Sequence, residues 1–175
     1  RGRILLERNE PRKASRYVKK SLAINERLGL IIDEARDLTS LANIVIMDHL
    51  SGRKGALPLH TAERFIARSL KIAEEGEHRF EHIVALSRMA AINMLKKRYE
   101  KALGNILEAE GRAEKNGFRE FEPELLCIKA EILIMLEKRN EAKKTLEKSK
   151  KMCLRMGMKP MQRRIEGLTE SITKK

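Results

Sequence analysis

The side chains able to do chemistry in this chain of 175 residues are few and scattered. Four histidines (His49, His60, His78 and His82) and two cysteines (Cys127 and Cys153) are the candidate metal ligands and nucleophiles. His78 and His82 stand four positions apart, so a helix would bring both imidazoles to one face at a metal-ligand spacing. No nearby Cys and no carboxylate at motif spacing completes a site, so the pair reads as ordinary surface or repeat-boundary residues. His49 and His60 flank an irregular stretch and could meet in space, again without further ligands. Cys127 would be a nucleophile only beside an activating base, and the neighbouring sequence offers none. It reads as a small packed or groove-facing residue. Gly52 and Gly55 lack the Lys-Ser/Thr end of a phosphate loop, and neither a dinucleotide fingerprint nor a zinc-protease motif occurs. The expectation is a protein that is not an enzyme, with no catalytic residue, no metal and no cofactor.

Composition sets the elements that must position any site. Apolar residues make up 42% of the chain, enough to bury a continuous core and to exclude wholesale disorder. Aromatics are 3%, Trp is absent, and Ala, Leu, Glu, Lys and Arg dominate, which favours helix nearly everywhere. Lys and Arg number 38 against 25 acidic residues, a net charge of +13. Such an excess attracts nucleic acid, an acidic partner or an anionic membrane. Spread along the whole chain, it reads first as the solvated face of a charged helical protein. Two cysteines suit a reducing, cytoplasmic compartment. The apolar run 125–136 is interrupted by Lys129 and Glu131, so no segment reads as a membrane span and no membrane partner is expected. The chain opens at Arg1 inside an apparent helix and shows no signal peptide. It therefore reads as one domain, 1–175, and as a C-terminal fragment of a longer polypeptide.

Glycines and prolines punctuate a series of amphipathic helices. Ile4, Leu5 and Leu6 look like the end of one, and Asn9-Glu10 precedes a Pro11 placed in the first turn of the next. Helices are predicted over about 11–28, 33–48, 61–75, 80–97, 99–116, 123–138, 141–156 and 160–172. Gly29, Gly76, Gly117 and Gly157 are read as stops, and Thr61 as a helix cap. The stretch 49–60 is the one irregular connection, broken by Gly52, Gly55 and Pro58.

Four columns repeat along the chain. Ala14, Ala62, Ala102 and Ala142 open the pattern at spacings of 48, 40 and 40. Val18, Ile66, Ile106 and Leu146 follow, then Ser21, Ser69, Ala109 and Ser149, then the four glycines. A second small column is Ala42, Ala90 and Ala130. Small residues let helices approach and larger ones fill between them. Eight extra residues in the first interval coincide with the irregular connection.

This pattern resembles the tetratricopeptide repeat superfamily. Tyr99, Glu100, Lys101 and Ala102 look like the opening of that family's second helix. Ser21 to Ile24 and Ser69 to Ile72 look like its later turns. The period near 40 is similar to the longer variants of kinesin light chains and of the sensor regions of MalT-like regulators. The resemblance implies an all-α fold, a right-handed α-α superhelix of about four helix-turn-helix repeats, closed by a capping helix in which Glu166 and Glu170 replace apolar or small residues. Leu38, Leu86 and Leu126 stand where the family has a large aromatic, and Lys129 stands at a position that is usually apolar.

The resemblance also implies where a partner would bind. In the family the first helix of each pair lines the concave groove. The matching positions are Arg36, Thr39, Asn43 and Met47, then Val84, Ser87, Ala91 and Met94, then Glu124, Cys127, Glu131 and Met135. The methionines suit either core filling or a soft, adaptable groove. Some relatives clamp chaperone C-termini with Lys, Arg and Asn; only Arg36 and Asn43 fit that clamp, so a mixed apolar groove is expected instead. The expected function is a scaffold or regulatory module that binds a peptide, a helix or a neighbouring domain of the same polypeptide. Two alternatives stay open. One is a nucleic-acid-associated module, using Lys96-Lys97-Arg98, Lys143-Lys144, Lys148, Lys150-Lys151 and Arg163-Arg164, or the sensor arm of a transcriptional regulator. The other is a small-molecule sensor, although Tyr17 and Tyr99 are the only tyrosines to face a sugar.

Overall fold

A computed structural model describes residues 11–173. The expected features at Ile4, Leu5, Leu6, Asn9 and Glu10, and the C-terminal Lys174-Lys175, lie outside the described residues. The described chain is all-α: α1 (Pro11–Leu28), α2 (Ile31–Leu50), α3 (Leu59–Glu75), α4 (Arg79–Leu95), α5 (Tyr99–Asn116), α6 (Glu122–Met135), α7 (Arg139–Met156) and α8 (Lys159–Thr173). A short 3₁₀ turn, Arg119–Phe121, leads into α6. No strand occurs among the described residues. Each helix packs on its chain neighbours; α2 also touches α4, α4 touches α6, and α6 touches α8.

The turns share one hydrogen bond, which is why the helices stop where they do. The Leu30 N–H donates to the Asn25 carbonyl at 2.9 Å, His78 to Ala73 at 2.8 Å, Phe118 to Ala113 at 2.9 Å and Met158 to Cys153 at 3.0 Å. The turns that close α4 and α6 do the same, with Arg98 to Asn93 at 2.8 Å and Lys138 to Leu133 at 2.9 Å. This six-to-one bond satisfies an orphan carbonyl and needs a left-handed residue just before the donor. Gly29, Gly117 and Gly157 supply it with φ of 68°, 73° and 68°. In the second unit the left-handed residue is Glu77, at φ 51°, and not the expected Gly76, which sits at φ −95°. Glu77, like the three glycines, lies fifteen residues after its unit's alanine, so the register of the fold overrides the position of the glycine. A side chain at positive φ is strained. Glu77→Gly should therefore raise the unfolding free energy by about 1 kcal/mol, read as a higher urea midpoint at unchanged slope.

Helix starts also differ from expectation. Pro58, and not Thr61, precedes α3, and no side chain caps that end. The first turn is instead held by the Thr61 N–H donating to the Pro58 carbonyl at 2.9 Å. The helices expected to reach 97 and 138 end at Leu95 and Met135, because Lys97 and Glu137 turn left-handed at φ 57° and 62°. The eight extra residues of the first interval are shared between a longer α2 and the connection 51–58. That connection is tied to its own helix: Arg53 pairs with Asp48 at 2.8 Å, and His49 Nε2 donates to the Leu57 carbonyl at 2.8 Å.

The small columns lie inside the core. Ala14, Ala62, Ala102 and Ala142 are fully buried, as are Ala42, Ala90 and Ala130. Ile66 and Ile106 are fully buried beside them, with Val18 and Leu146 nearly so. The serine column does a second job. Ser69 Oγ donates to the Ala35 carbonyl at 3.0 Å, and Ser149 Oγ donates to the Pro123 carbonyl at 2.9 Å. Ala35 and Pro123 occupy the same place in their helices, so the bond recurs between equivalent helix pairs. Buried hydroxyls are tolerated here because a carbonyl receives each one. Phe80, Phe118 and Phe121 meet edge to face at the start of α4 and the α5–α6 turn, with centroids 4.8–6.4 Å apart.

Candidate interaction face

The helices α2, α4 and α6 carry all twelve residues that the resemblance implies for a groove. Among the described residues, successive second helices (α1, α3, α5 and α7) make no comparable contact with one another. The face shared by α2, α4, α6 and α8 is therefore where alternate helices of the chain meet. An Arg–Glu pair bridges each junction. Arg36 Nη2 lies 2.7 Å from Glu81 Oε1, joining α2 to α4. Arg88 Nη1 lies 3.3 Å from Glu124 Oε1, joining α4 to α6. Arg164 Nη2 lies 2.8 Å from Glu131 Oε1, joining α6 to α8. The Glu81 side chain is 8% exposed while Arg36 is 52% exposed, so that pair places one buried carboxylate under a guanidinium open to solvent.

The twelve residues divide by burial. Arg36 and Met135 are exposed. Asn43, Met47, Val84, Ala91, Met94, Glu124 and Glu131 are half-buried, with part of each side chain accessible. Thr39, Ser87 and Cys127 are a correction: all three are buried and offer nothing to a partner. They form one column at equivalent positions, and Thr39 and Cys127 in it meet the second helices α3 and α7. The Thr39 and Ser69 hydroxyls lie 2.9 Å apart, Ser87 Oγ donates to the Val84 carbonyl at 2.8 Å, and Cys127 packs with Leu146, Cys153 and Ile165. Glu81, Arg88 and Arg164 are members of the face that sequence reasoning missed. Their partners lie 45, 36 and 33 residues away, and no local spacing signals such a pairing.

The residues weighed for chemistry stand as follows. Burial pushes the Cys127 thiol up to about 11 from its ordinary 9.0, which leaves almost no thiolate for nucleophilic attack near neutrality. Cys153 is also free, buried and shifted upward by burial. No group of three or more His, Cys, Asp or Glu side chains converges as a metal set among the described residues. His82, expected as a surface or repeat-boundary residue, is buried at 7% exposure and lies 3.9 Å from Glu108. Its burial, helped by the nearby Arg112 charge against the opposing pull of Glu108 and Glu74, lowers its pKa below 6.5. A histidine held neutral in the fold gives its full stability above the unfolded value near 6.5. That stability is lost as pH falls from there through the folded value. His82→Gln should therefore flatten the drop in melting temperature between about pH 7 and pH 5 relative to the parent chain; an unchanged slope would remove His82 from the account.

No helix is long and apolar enough to cross a membrane among the described residues. No protein-family model matches this chain. No curated protein matches it either. The assignment of function therefore rests on the geometry of its own helices.

Proposed function

We propose that this chain is a tetratricopeptide-like scaffold, a helical solenoid whose first helices line a groove for a protein segment. The observation that carries the reading is the placement of α2, α4 and α6 side by side, stapled by Arg36–Glu81 and Arg88–Glu124, with Met47, Met94 and Met135 along the same helices. Met135 is 53% exposed, an apolar and adaptable side chain offered to solvent beside half-buried Glu131. A helix laid across such a face would meet apolar and charged positions at successive turns. Glu124 and Glu131 are held by arginines of neighbouring helices, so they set the groove's shape as well as its charge. The capping role belongs to α8, where Glu166 and Glu170 occupy the outward positions.

Affinity capture from native lysate, with and without nuclease and at two salt concentrations, tests this reading. A defined protein retained under all conditions supports it. A second reading is favoured by α7, whose Lys143, Lys144, Lys148, Lys150, Lys151 and Arg155 are exposed and make no ion pair among the described residues. Retention lost to nuclease and to modest salt would assign the partner to nucleic acid, because phosphate contacts release counterions.

A further inference from the structure

One crevice departs from the repeat in a way that packing does not explain. In the first unit Leu22 of α1 and Leu41 of α2 share one apolar cluster. In the second, Leu70 of α3 and Met89 of α4 occupy the same two positions and share the next cluster. In the third, the positions hold Glu110 of α5 and Lys129 of α6, joined at 2.6 Å with side chains only 21% and 24% exposed. Replacing an apolar contact by a half-buried ion pair brings little or no stability. Beside this pair the structure opens a crevice of about 360 Å³ between α5, α6 and α7.

The walls of the crevice are polarised. The α5 wall is acidic, with Glu110 and Glu114; the α7 wall is basic, with Lys144 and Lys148; the α6 floor carries Glu122 and Lys129. Lys129 takes one Glu110 oxygen, Oε2, while the buried Oε1 has no protein donor. Lys144 and Lys148 have no carboxylate within ion-pair distance among the described residues, where Lys129 has one. A simple anion here would face the α5 carboxylates, and a simple cation would face the α7 ammoniums. A molecule carrying both charges satisfies both walls.

We propose that this crevice binds a small zwitterion, a free amino acid, whose ammonium faces the α5 carboxylates of Glu110 and Glu114 and whose carboxylate accepts from Lys144 and Lys148. The volume lies at the small end of the range of ligand pockets. The site stands apart from the first-helix groove and does not depend on it.

The test is isothermal titration of the full chain with each of the common free L-amino acids, with acetate and methylammonium as single-charge controls. The expected result is saturable one-to-one binding of at least one amino acid and none of either control. The double variant Glu110→Leu/Lys129→Met restores the apolar pair of the other units and should melt at or above the parent temperature, yet bind at least about tenfold more weakly. Lys148→Ala, at an exposed position, should also weaken binding without changing helix content. Absence of saturable binding for every amino acid overturns the proposal. So does equal binding of acetate or methylammonium, or unchanged affinity in both variants.

Discussion

Replacing Ile106 by Ala should lower the unfolding free energy by about 2–5 kcal/mol, among the largest losses a single truncation can cause in this chain. Ile106 is fully buried in α5 and packs in one cluster with Ile83, Leu86 and Ala90 of α4 and Leu125, Ile128 and Ile132 of α6. One side chain therefore holds together its own helix pair and the first helix of the next. In a repeat protein, stability is the sum of each unit and its interfaces, so the cavity weakens both at once. The neighbouring Leu107 is 47% exposed, and Leu107→Ala should stay within about 0.5 kcal/mol of the parent. Urea unfolding followed by circular dichroism compares the two directly. Equal midpoints would mean that the α4–α5–α6 junction is not packed as described.

The second large effect concerns the cysteines. Cys127 and Cys153 should react with a thiol reagent at least about a hundredfold more slowly in the folded chain than in concentrated urea. Both are fully buried, and burial pushes the Cys127 thiol up to about 11 from its ordinary 9.0, which removes most of the thiolate. Burial then adds a steric barrier that only opening of the α6–α7–α8 packing removes. Rapid labelling of Cys127 with helix content intact would return this residue to the groove surface. Slow labelling of both, released together by urea, confirms that Cys127 faces inward.

What the sequence made legible, and what it hid, follows from the range of the interactions. Helix existence and the small columns were readable because both arise from periodicity: Ala62, Ala102 and Ala142 announce themselves by spacing alone, and each is fully buried. The turn at Gly76 was misplaced because glycine is the usual left-handed residue, whereas the fold keeps the fifteen-residue register and imposes positive φ on Glu77. The face residues were half legible. Spacing puts Arg36, Thr39 and Asn43 on neighbouring turns of one helix, yet it does not say which flank of that stripe meets α3. The Thr39–Ser69 contact settles this, and it joins residues 30 apart. The bridging pairs Arg36–Glu81, Arg88–Glu124 and Glu131–Arg164 were hidden for the same reason, and Arg36 and Arg88 stand at different positions in their helices, so no column announces them. Lys129 stood out from sequence as a charge at an apolar position; only the structure supplies Glu110 and the crevice beside it.

The central claim is that the face built from α2, α4 and α6 binds the partner. Met135→Glu and Leu107→Glu test it most directly, because the two side chains are 53% and 47% exposed and differ in the helix that carries them. Both variants should fold like the parent, since neither buries a charge. The measurement is retention of the protein partner captured by the parent chain, at matched helix content. The account predicts that Met135→Glu loses the partner and Leu107→Glu keeps it. Retention by both, or loss in Leu107→Glu alone, would contradict it.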